Sequence, residues 1–276
     1  MAKVKESVMM KIVEDYGEVS RLVMRRLGSG VLTNNYMLAS EYRALIADGS
    51  LFMHEWSGGL LLLCRKDGRH LLKFSVSDAD SLPDASLPLD TVTEIAYKPS
   101  GVAAAERAVS YLEKCGFATL FGRIRMTRQP GGEPLAEVSG YKVYIADDDR
   151  YDDIRALLRG CFDIRTGCLP DDSELFGDIA AGRVLCVLDD SDVTAGLLRY
   201  EVRASSLEIC HLAVREDMRG RGVAGSLIRD LVGRFGDKSI TVWLRDGYAP
   251  AQRAYVSAGF VLDGLRSFVM AIICNS

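Results

Sequence analysis

The sequence predicts an α/β (α+β) protein built as two similar units, and three observations carry that reading. Apolar residues recur with period two in short runs and with a helical period in the segments between them, as strands and helices of one fold require. Two stretches occur twice: "RALIADGSLFM" (43–53) matches "FGDIAAGRVLCV" (176–187), and "AERAVSYLEKCGF" (105–117) matches "APAQRAYVSAGF" (249–260). The first pair reads as a helix end, a glycine stop and a strand start; the second reads as an Ala-rich helix ended by Gly-Phe. Third, "CHLAVREDMRGRGVAGSLIRDLV" (210–232) leads from a strand pattern through a glycine-rich turn into a helix pattern, and only the second half has such a turn.

Taken in order, the first half reads as helix 7–27, helix 37–48, strands near 51–56, 60–65, 70–77 and 91–97, helix 101–115 and strand 118–127. Alternating Val, Ile, Leu and Tyr bounded by turn residues define the strands. The second half reads as strand 141–145, helices 150–160 and 171–181, strands near 184–188, 194–203 and 206–214, helix 221–235, strand 239–245, helix 249–258 and strand 260–272. The shared landmarks lie further apart in the second half (Gly182 to Gly259) than in the first (Gly49 to Gly116), by about three helical turns of 3.6 residues. The surplus is the helix after the glycine turn. Its counterpart, "DADSLPDASLPLD" (78–90), contains two prolines, which disfavour a helix. Between the halves, "RQPGGEPLAEVS" (128–139) is rich in Pro, Gly and Glu. The expected domains are therefore 1–130 and 140–276, with a linker at 131–139.

With 276 residues, 48% hydrophobic and 26% charged, the chain can bury a core in each half. A net charge of −4 supplies no basic field, so nucleic acid is not an expected partner. The apolar run at 60–64 is far too short to span a bilayer, and the N-terminal segment lacks the apolar core of a signal peptide. No membrane association is expected, and a cytoplasmic location is. Seven cysteines without a CxxC point to free thiols in a reducing compartment, and with only three histidines no metal site is expected.

Residues Arg219, Gly220, Arg221, Gly222, Val223, Ala224 and Gly225 run directly into an apolar helix. A helix start leaves backbone N–H groups without partners and carries partial positive charge. Small residues let an anion approach those amides and the arginines add charge, so the turn reads as a phosphate or pyrophosphate cradle. GxxxxGK[ST] is absent, which excludes the phosphate loop of the NTPases. The turn resembles the central motif of the GNAT superfamily of acetyl-CoA-dependent N-acetyltransferases, Q/R-x-x-G-x-G/A after a strand. Residues 219–224 satisfy it, and Val214 stands at the strand end. "APAQRAYVSAGF" resembles a second family motif, an Ala-rich helix that carries a tyrosine, here Tyr255, and ends in Gly-Phe. A proline and an asparagine common in these motifs are Glu216 and Tyr248 here.

The resemblance covers residues 140–276. It implies a tandem arrangement of two GNAT-like domains, each a mixed, mostly antiparallel twisted sheet flanked by helices. The first domain is degenerate: it lacks the turn, and Leu112 stands where the second has Tyr255. The resemblance also implies acetyl-CoA as cosubstrate. Its pyrophosphate would lie on the amides of residues 219–225. Its pantetheine arm would pair with the backbone of Leu212, Ala213 and Val214, in a gap where strand 206–214 splays from strand 239–245, and a backbone N–H there would polarise the thioester.

On a strand, alternate residues share a face, so Glu208, Cys210, Leu212 and Val214 are expected together, opposite Ile209, His211 and Ala213. In the histone-acetyltransferase branch of the superfamily a glutamate at the offset of Glu208 is the general base; a solvated strand-edge carboxylate is the alternative. His211 is a rival base by its ordinary pKa, or a packed histidine. Tyr255 is the candidate acid, or a tyrosine packed between helix and sheet. Cys210 as an acyl-carrying nucleophile has no histidine on its expected face. The expected activity is transfer of acetyl from acetyl-CoA to a primary amine of a small molecule or peptide by direct attack, with Glu208 as base through a water and Tyr255 as acid. A non-catalytic acyl-CoA-binding or regulatory module is the alternative. Asp171, Asp172 and Glu174 suit a cationic acceptor, or simply a helix start favoured by its dipole. The chain is expected to act as a monomer or homodimer.

Overall fold

Four consecutive leucines at 60–63 show how the strands are chosen. Leu60, Leu62 and Cys64 are buried on one face of a strand, and Leu61 and Leu63 on the other. A strand covered on both faces needs no polar alternation, and each such leucine stabilises the fold by about 1.5–3 kcal/mol. The computed structural model describes residues 10–28, 30–66, 69–132, 135 and 140–272. Its elements begin β1 (Lys11–Ile12), α1 (Tyr16–Arg25), β2 (Leu32–Thr33), α2 (Ala39–Ala47), β3 (Leu51–Trp56), β4 (Gly59–Lys66), β5 (Arg69–Val76), β6 (Thr91–Tyr97), α3 (Val102–Lys114) and β7 (Phe117–Arg128). They continue β8 (Tyr144–Ile145), α4 (Tyr151–Cys161), α5 (Asp172–Ala180), β9 (Val184–Leu188), β10 (Thr194–Val202), β11 (Ser206–Val214), α6 (Val223–Phe235), β12 (Ser239–Arg245), α7 (Ala249–Ser257) and β13 (Val261–Ile272).

The chain divides into two compact units. Unit 1 is Met1–Gly122 with Arg266–Ser276, and unit 2 is Arg123–Leu265. In unit 1 the strand order is β1-β3-β4-β5-β6-β13, with β2 beside β5. The pairs are antiparallel except β5 with β6. Helix α3 packs Ala105, Ala108, Tyr111 and Leu112 on one face of this sheet; α1 and α2 pack Val19, Leu22 and Tyr42 on the other. In unit 2 the order is β7-β12-β11-β10-β9-β8, antiparallel except β11 with β12. Helices α6 and α7 cover one face through Val223, Leu227, Leu231 and Tyr255, and α4 and α5 cover the other through Ile154, Leu158, Leu175 and Ile179.

Against the expected division at 130 and 140, the units differ by two strand segments. Residues 123–128 of β7 are hydrogen-bonded along β12 in unit 2. Residues 266–271 of β13 pair with β6 in unit 1. Most of the expected linker (133, 134 and 136–139) lies outside the described residues. The helix expected from residue 7 starts only at Tyr16: Asp15 caps it, accepting from the N–H groups of Gly17 and Glu18 at 3.1 and 2.8 Å, while Lys11 and Ile12 pair with β3. Residues 1–9 lie outside the described residues. The strand expected at 141–145 shortens to Tyr144–Ile145, and β1 and β2 were not expected from the sequence.

Candidate functional site

Exposure alternates strictly along β11, with Leu207, Ile209, His211 and Ala213 the buried positions. The faces nevertheless change in mid-strand. Leu198 opposes Leu212 and Arg199 opposes His211, but the next pairs are Tyr200 with Ile209 and Glu201 with Glu208. Cys210 is an extra residue, a β-bulge. Leu207 and Ile209 pack in the core against α6, as do Leu212 and Val214, whereas Ala213 packs with α4 and α5. Opposed residues share a face, so Glu208 lies with Glu201, Arg199 and His211. This corrects the expected grouping: the bulge puts Glu208 on the opposite face from Leu212 and Val214.

The same bulge sits where two strands part. β11 and β12 pair only over 206–209 and 239–242. Beyond Ile209 and Val242 that ladder stops, while β11 stays paired with β10 as far as Val214 and β12 with β7 as far as Arg245. One backbone edge of residues 210–214 therefore faces a gap and has no strand partner among the described residues.

β11 leads to the glycine turn through a short 3-10 helix, Glu216–Met218. Gly220 and Gly222 have φ of +75° and +93°, in the region that glycine alone enters without strain. A Cβ at either would meet nothing within 4 Å, so the space beside the turn is open. Gly222 is the N-cap of α6 and provides no side-chain cap. Among the described residues, no side chain accepts a hydrogen bond from the N–H groups of residues 220–225. Helix α6 thus presents an uncapped, partly positive end in an open glycine cradle, the chemistry a pyrophosphate needs. Arg219 Nε donates to the Val214 carbonyl at 3.2 Å. Arg229 Nη2 lies 3.4 Å from Ser226 Oγ, and its Nη1 is 3.3 Å from where a Cβ on Gly225 would sit. Among the described residues no carboxylate pairs with Arg219, Arg221 or Arg229, whereas Arg215 is held by Asp189 and Asp217, both at 2.7 Å.

Tyr255 is 1% exposed, packed edge-on to Phe260 with ring centroids 5.2 Å apart. It belongs to the core that takes Leu212, Val214 and Val223. Burial raises its pKa, so it stays protonated at neutral pH. Among the described residues no group hydrogen-bonds its phenol oxygen.

The opposite face is more tightly bonded than the sequence suggested. His211 is buried, with Nε2 2.9 Å from the Gly167 carbonyl and its ring edge-on to Phe162. Arg199 and Asp178, each 3% exposed, form a buried ion pair, and Arg199 also reaches Glu174 at 2.5 Å. Asp172 pairs with Arg155 at 2.8 Å, and Asp171 caps α5 by accepting from the Glu174 N–H at 2.6 Å. All three acidic residues are engaged within the protein, which favours the helix-start reading over a cation site. Burial pushes the Cys210 thiol up to about 12, so it is not a thiolate at neutral pH. Glu208 is partly exposed, 3.8 Å from Arg203. The bulge and the Arg199 network escaped the sequence reading. The one signal for the network was an arginine inside the apolar strand "GLLRYEV". Among the described residues no cluster of three His, Cys, Asp or Glu could hold a metal ion, and no helix is long and apolar enough to cross a membrane.

Comparison with known proteins agrees with these features. Residues 151–260 match the acetyltransferase (GNAT) family. No curated protein matches the sequence. Among solved structures, a Drosophila protein superposes with TM-score 0.59 at 12% identity, covering 97% of this chain and 99% of its own. A GCN5-related N-acetyltransferase from Sphaerobacter thermophilus gives TM-score 0.54 at 15% identity, covering 85% of each chain. A tandem GNAT protein from the clavulanic acid biosynthesis pathway gives 0.50 at 15% identity, covering 80% of this chain and 82% of its own. At such identities the likeness is one of fold. Residues 151–260 thus match the GNAT family of acetyltransferases, and the fold of the chain is that of GNAT proteins, tandem ones included.

Proposed function

We propose that unit 2 binds acetyl-CoA and transfers its acetyl group to a primary amine of a small molecule or peptide. The family match over residues 151–260 supports acyl transfer in general; the finer reading is carried by one observation. The β11–β12 ladder ends at Ile209–Val242, and the open edge beyond it runs directly into an uncapped glycine turn. Residues 219–225 would hold the pyrophosphate, and the backbone of Leu212, Ala213 and Val214 the pantetheine arm. Acetyl-CoA, when bound, supplies an acyl group activated as a thioester. A backbone N–H at 212–214 polarises its carbonyl.

Two proton movements remain for the side chains. An alkyl ammonium has a pKa near ~10.4 and cannot attack until it loses a proton. Glu208, on the face away from α6, takes that proton through a water. Tyr255, on the α6 face, supplies one to the departing sulfur. Base and acid thus work from opposite faces of the strand gap. Burial makes Tyr255 a weaker acid, but desolvation raises a thiol in the same surroundings too, as Cys210 illustrates. The test is release of free CoA from acetyl-CoA with a panel of amines. Turnover with at least one amine is expected, and binding without turnover would leave only a cofactor-binding module.

A further inference from the structure

In unit 1, β5 and β6 also run parallel and pair at two positions only, His70 with Thr91 and Leu71 with Val92. Past them the strands are bridged by another part of the chain. Leu32 lies opposite Val76 and Thr33 opposite Ser75. The next residue, Asn34, is 4% exposed. Its Nδ2 donates toward the Leu72 carbonyl at 3.1 Å, Thr93 Oγ1 at 2.8 Å and the Glu94 carbonyl at 3.0 Å. Its Oδ1 accepts from the Phe74 N–H at 2.9 Å. Thr93 Oγ1 donates to the Leu72 carbonyl at 2.9 Å, and Thr33 Oγ1 to the Phe74 carbonyl at 2.7 Å. One carboxamide is thus read on both ends: its oxygen by a donor of β5, its nitrogen by acceptors of β5 and β6.

We propose that residues 32–34 are a built-in occupant of this strand gap, with Asn34 a tethered surrogate for an amide-bearing ligand. Unit 1 is thereby closed to a cofactor arm, and Asn34 is the residue that keeps it so. The slot is complementary to a primary amide: one N–H for the oxygen, two carbonyls and a hydroxyl for the NH2. An amide held on the chain is present at high effective concentration, while a free one must meet the full entropic cost of association. Filling the slot also satisfies backbone groups that the parting of the strands would leave bare. The slot stands on unit 1's own contacts; calling it the counterpart of the gap in unit 2 rests on the function proposed for unit 2.

The test uses the full chain. Asn34→Gly empties the slot and leaves the Phe74 N–H and the Leu72 and Glu94 carbonyls without this partner. Hydrogen exchange of the 69–76 and 91–97 segments should quicken by roughly 10-fold or more, with 223–235 and 239–245 unchanged. Acetamide, the missing group as a free molecule, should restore protection in the variant and do nothing to the parent. Asn34→Asp keeps the shape but sets a carboxyl against three oxygens, so it should also exchange fast, without acetamide rescue. Parent-like exchange in either variant would overturn the proposal, and so would fast exchange in Asn34→Gly that acetamide leaves unchanged. In parallel, CoA titrated into the parent should bind at one per chain. Two per chain would overturn the closed slot. None would refute the reading of unit 2 and leave the exchange result to judge Asn34 by itself.

Discussion

Two strand gaps of one design meet different fates in this chain. In unit 1 the parallel strands part after Leu71 and Val92, and residues 32–34 enter. In unit 2 they part after Ile209 and Val242, and no described strand enters. The segment that decides is the connection between the first two helices of each unit. In unit 1 it spans 26–38 and contributes β2. In unit 2 it spans 162–171 and is held by its own carbonyls: Gly167 by His211 at 2.9 Å and Thr166 by Arg123 Nη2 at 2.6 Å. Beyond the gap the two units diverge in the same sense. Unit 2 continues into an open glycine cradle, and unit 1 into residues 77–90, which form no helix. The same fold supplies a parted pair of strands in both units; a loop and a turn distinguish the filled gap from the open one.

The comparison breaks most completely at the chain boundaries. A fragment of residues 138–276 lacks 123–128, which pair along β12 and bring Ile124 and Met126 into the core of unit 2. Losing one such core residue typically costs about 2–5 kcal/mol, against a domain stability of about 5–15 kcal/mol. That fragment is expected not to fold or bind CoA, whereas residues 123–265 should do both. Thermal melting by circular dichroism and calorimetry with CoA check this. A cooperative melt of 138–276 with CoA affinity equal to the parent's would mean that the exchanged strands do not define the units.

Next in size is Gly222→Val. At φ +93° a β-branched residue is strained, although nothing lies within 4 Å of its Cβ. It would stand where the pyrophosphate must approach. CoA affinity should fall by about 100-fold or more while the protein stays folded, since contacts of a charged ligand with several N–H groups are lost together. Asp80→Ala, in the segment that stands in the turn's place in unit 1, should change nothing. Unchanged affinity in a folded Gly222→Val protein would make the turn merely structural.

The sequence made the strands, helices and glycine turn legible because each is written locally, in periodicity, glycine stops and helix starts. The bulge was not read, because exposure alternates along all of β11. In "LEICHLAV" the apolar residues nevertheless stand at 207 and 209 and then at 212 and 214, a change of phase at Cys210 and His211 that the register against β10 fixes as a bulge. Nor was the plug read: "GVLTNNYML" reads as a polar connection, and Asn34 gains its meaning from strands that lie far from it in sequence. The exchange of β7 and β13 between units is likewise a choice among partners, which no single segment encodes. Glu174, on α5, looked available to a cation because its partner Arg199 comes from β10.

Tyrosines sharpen the contrast on a smaller scale. Tyr255→Phe should lower kcat by about 100-fold and leave CoA affinity within about twofold, because the ring and its packing remain. The melting temperature should not fall, since no hydrogen bond to a described residue is lost. Tyr111, equally buried in unit 1, has its hydroxyl 3.5 Å from the Ser81 carbonyl. Tyr111→Phe should leave turnover untouched. Steady-state kinetics with one accepted amine read both. Equal rates for Tyr255→Phe and the parent would return Tyr255 to packing alone.

The smallest expected effect concerns Glu208, and its sign depends on pH. Below the amine's pKa the fraction of free amine rises tenfold per pH unit, and a base helps most where that fraction is smallest. Glu208→Gln should therefore be slower by about tenfold near pH 7, with the deficit shrinking as pH rises toward ~10. Its log kcat/KM should climb more steeply with pH than the parent's. Arg203, exposed and 3.8 Å away, is too weak a partner to set this behaviour, so Arg203→Ala should leave the profile in place. Parallel profiles for Glu208→Gln and the parent would make Glu208 a solvated carboxylate beside Arg203. The base would then have to be sought elsewhere on the face that Glu208 shares with Glu201 and His211, because the bulge at Cys210 turns that face, and not the one bearing Leu212 and Val214, away from α6.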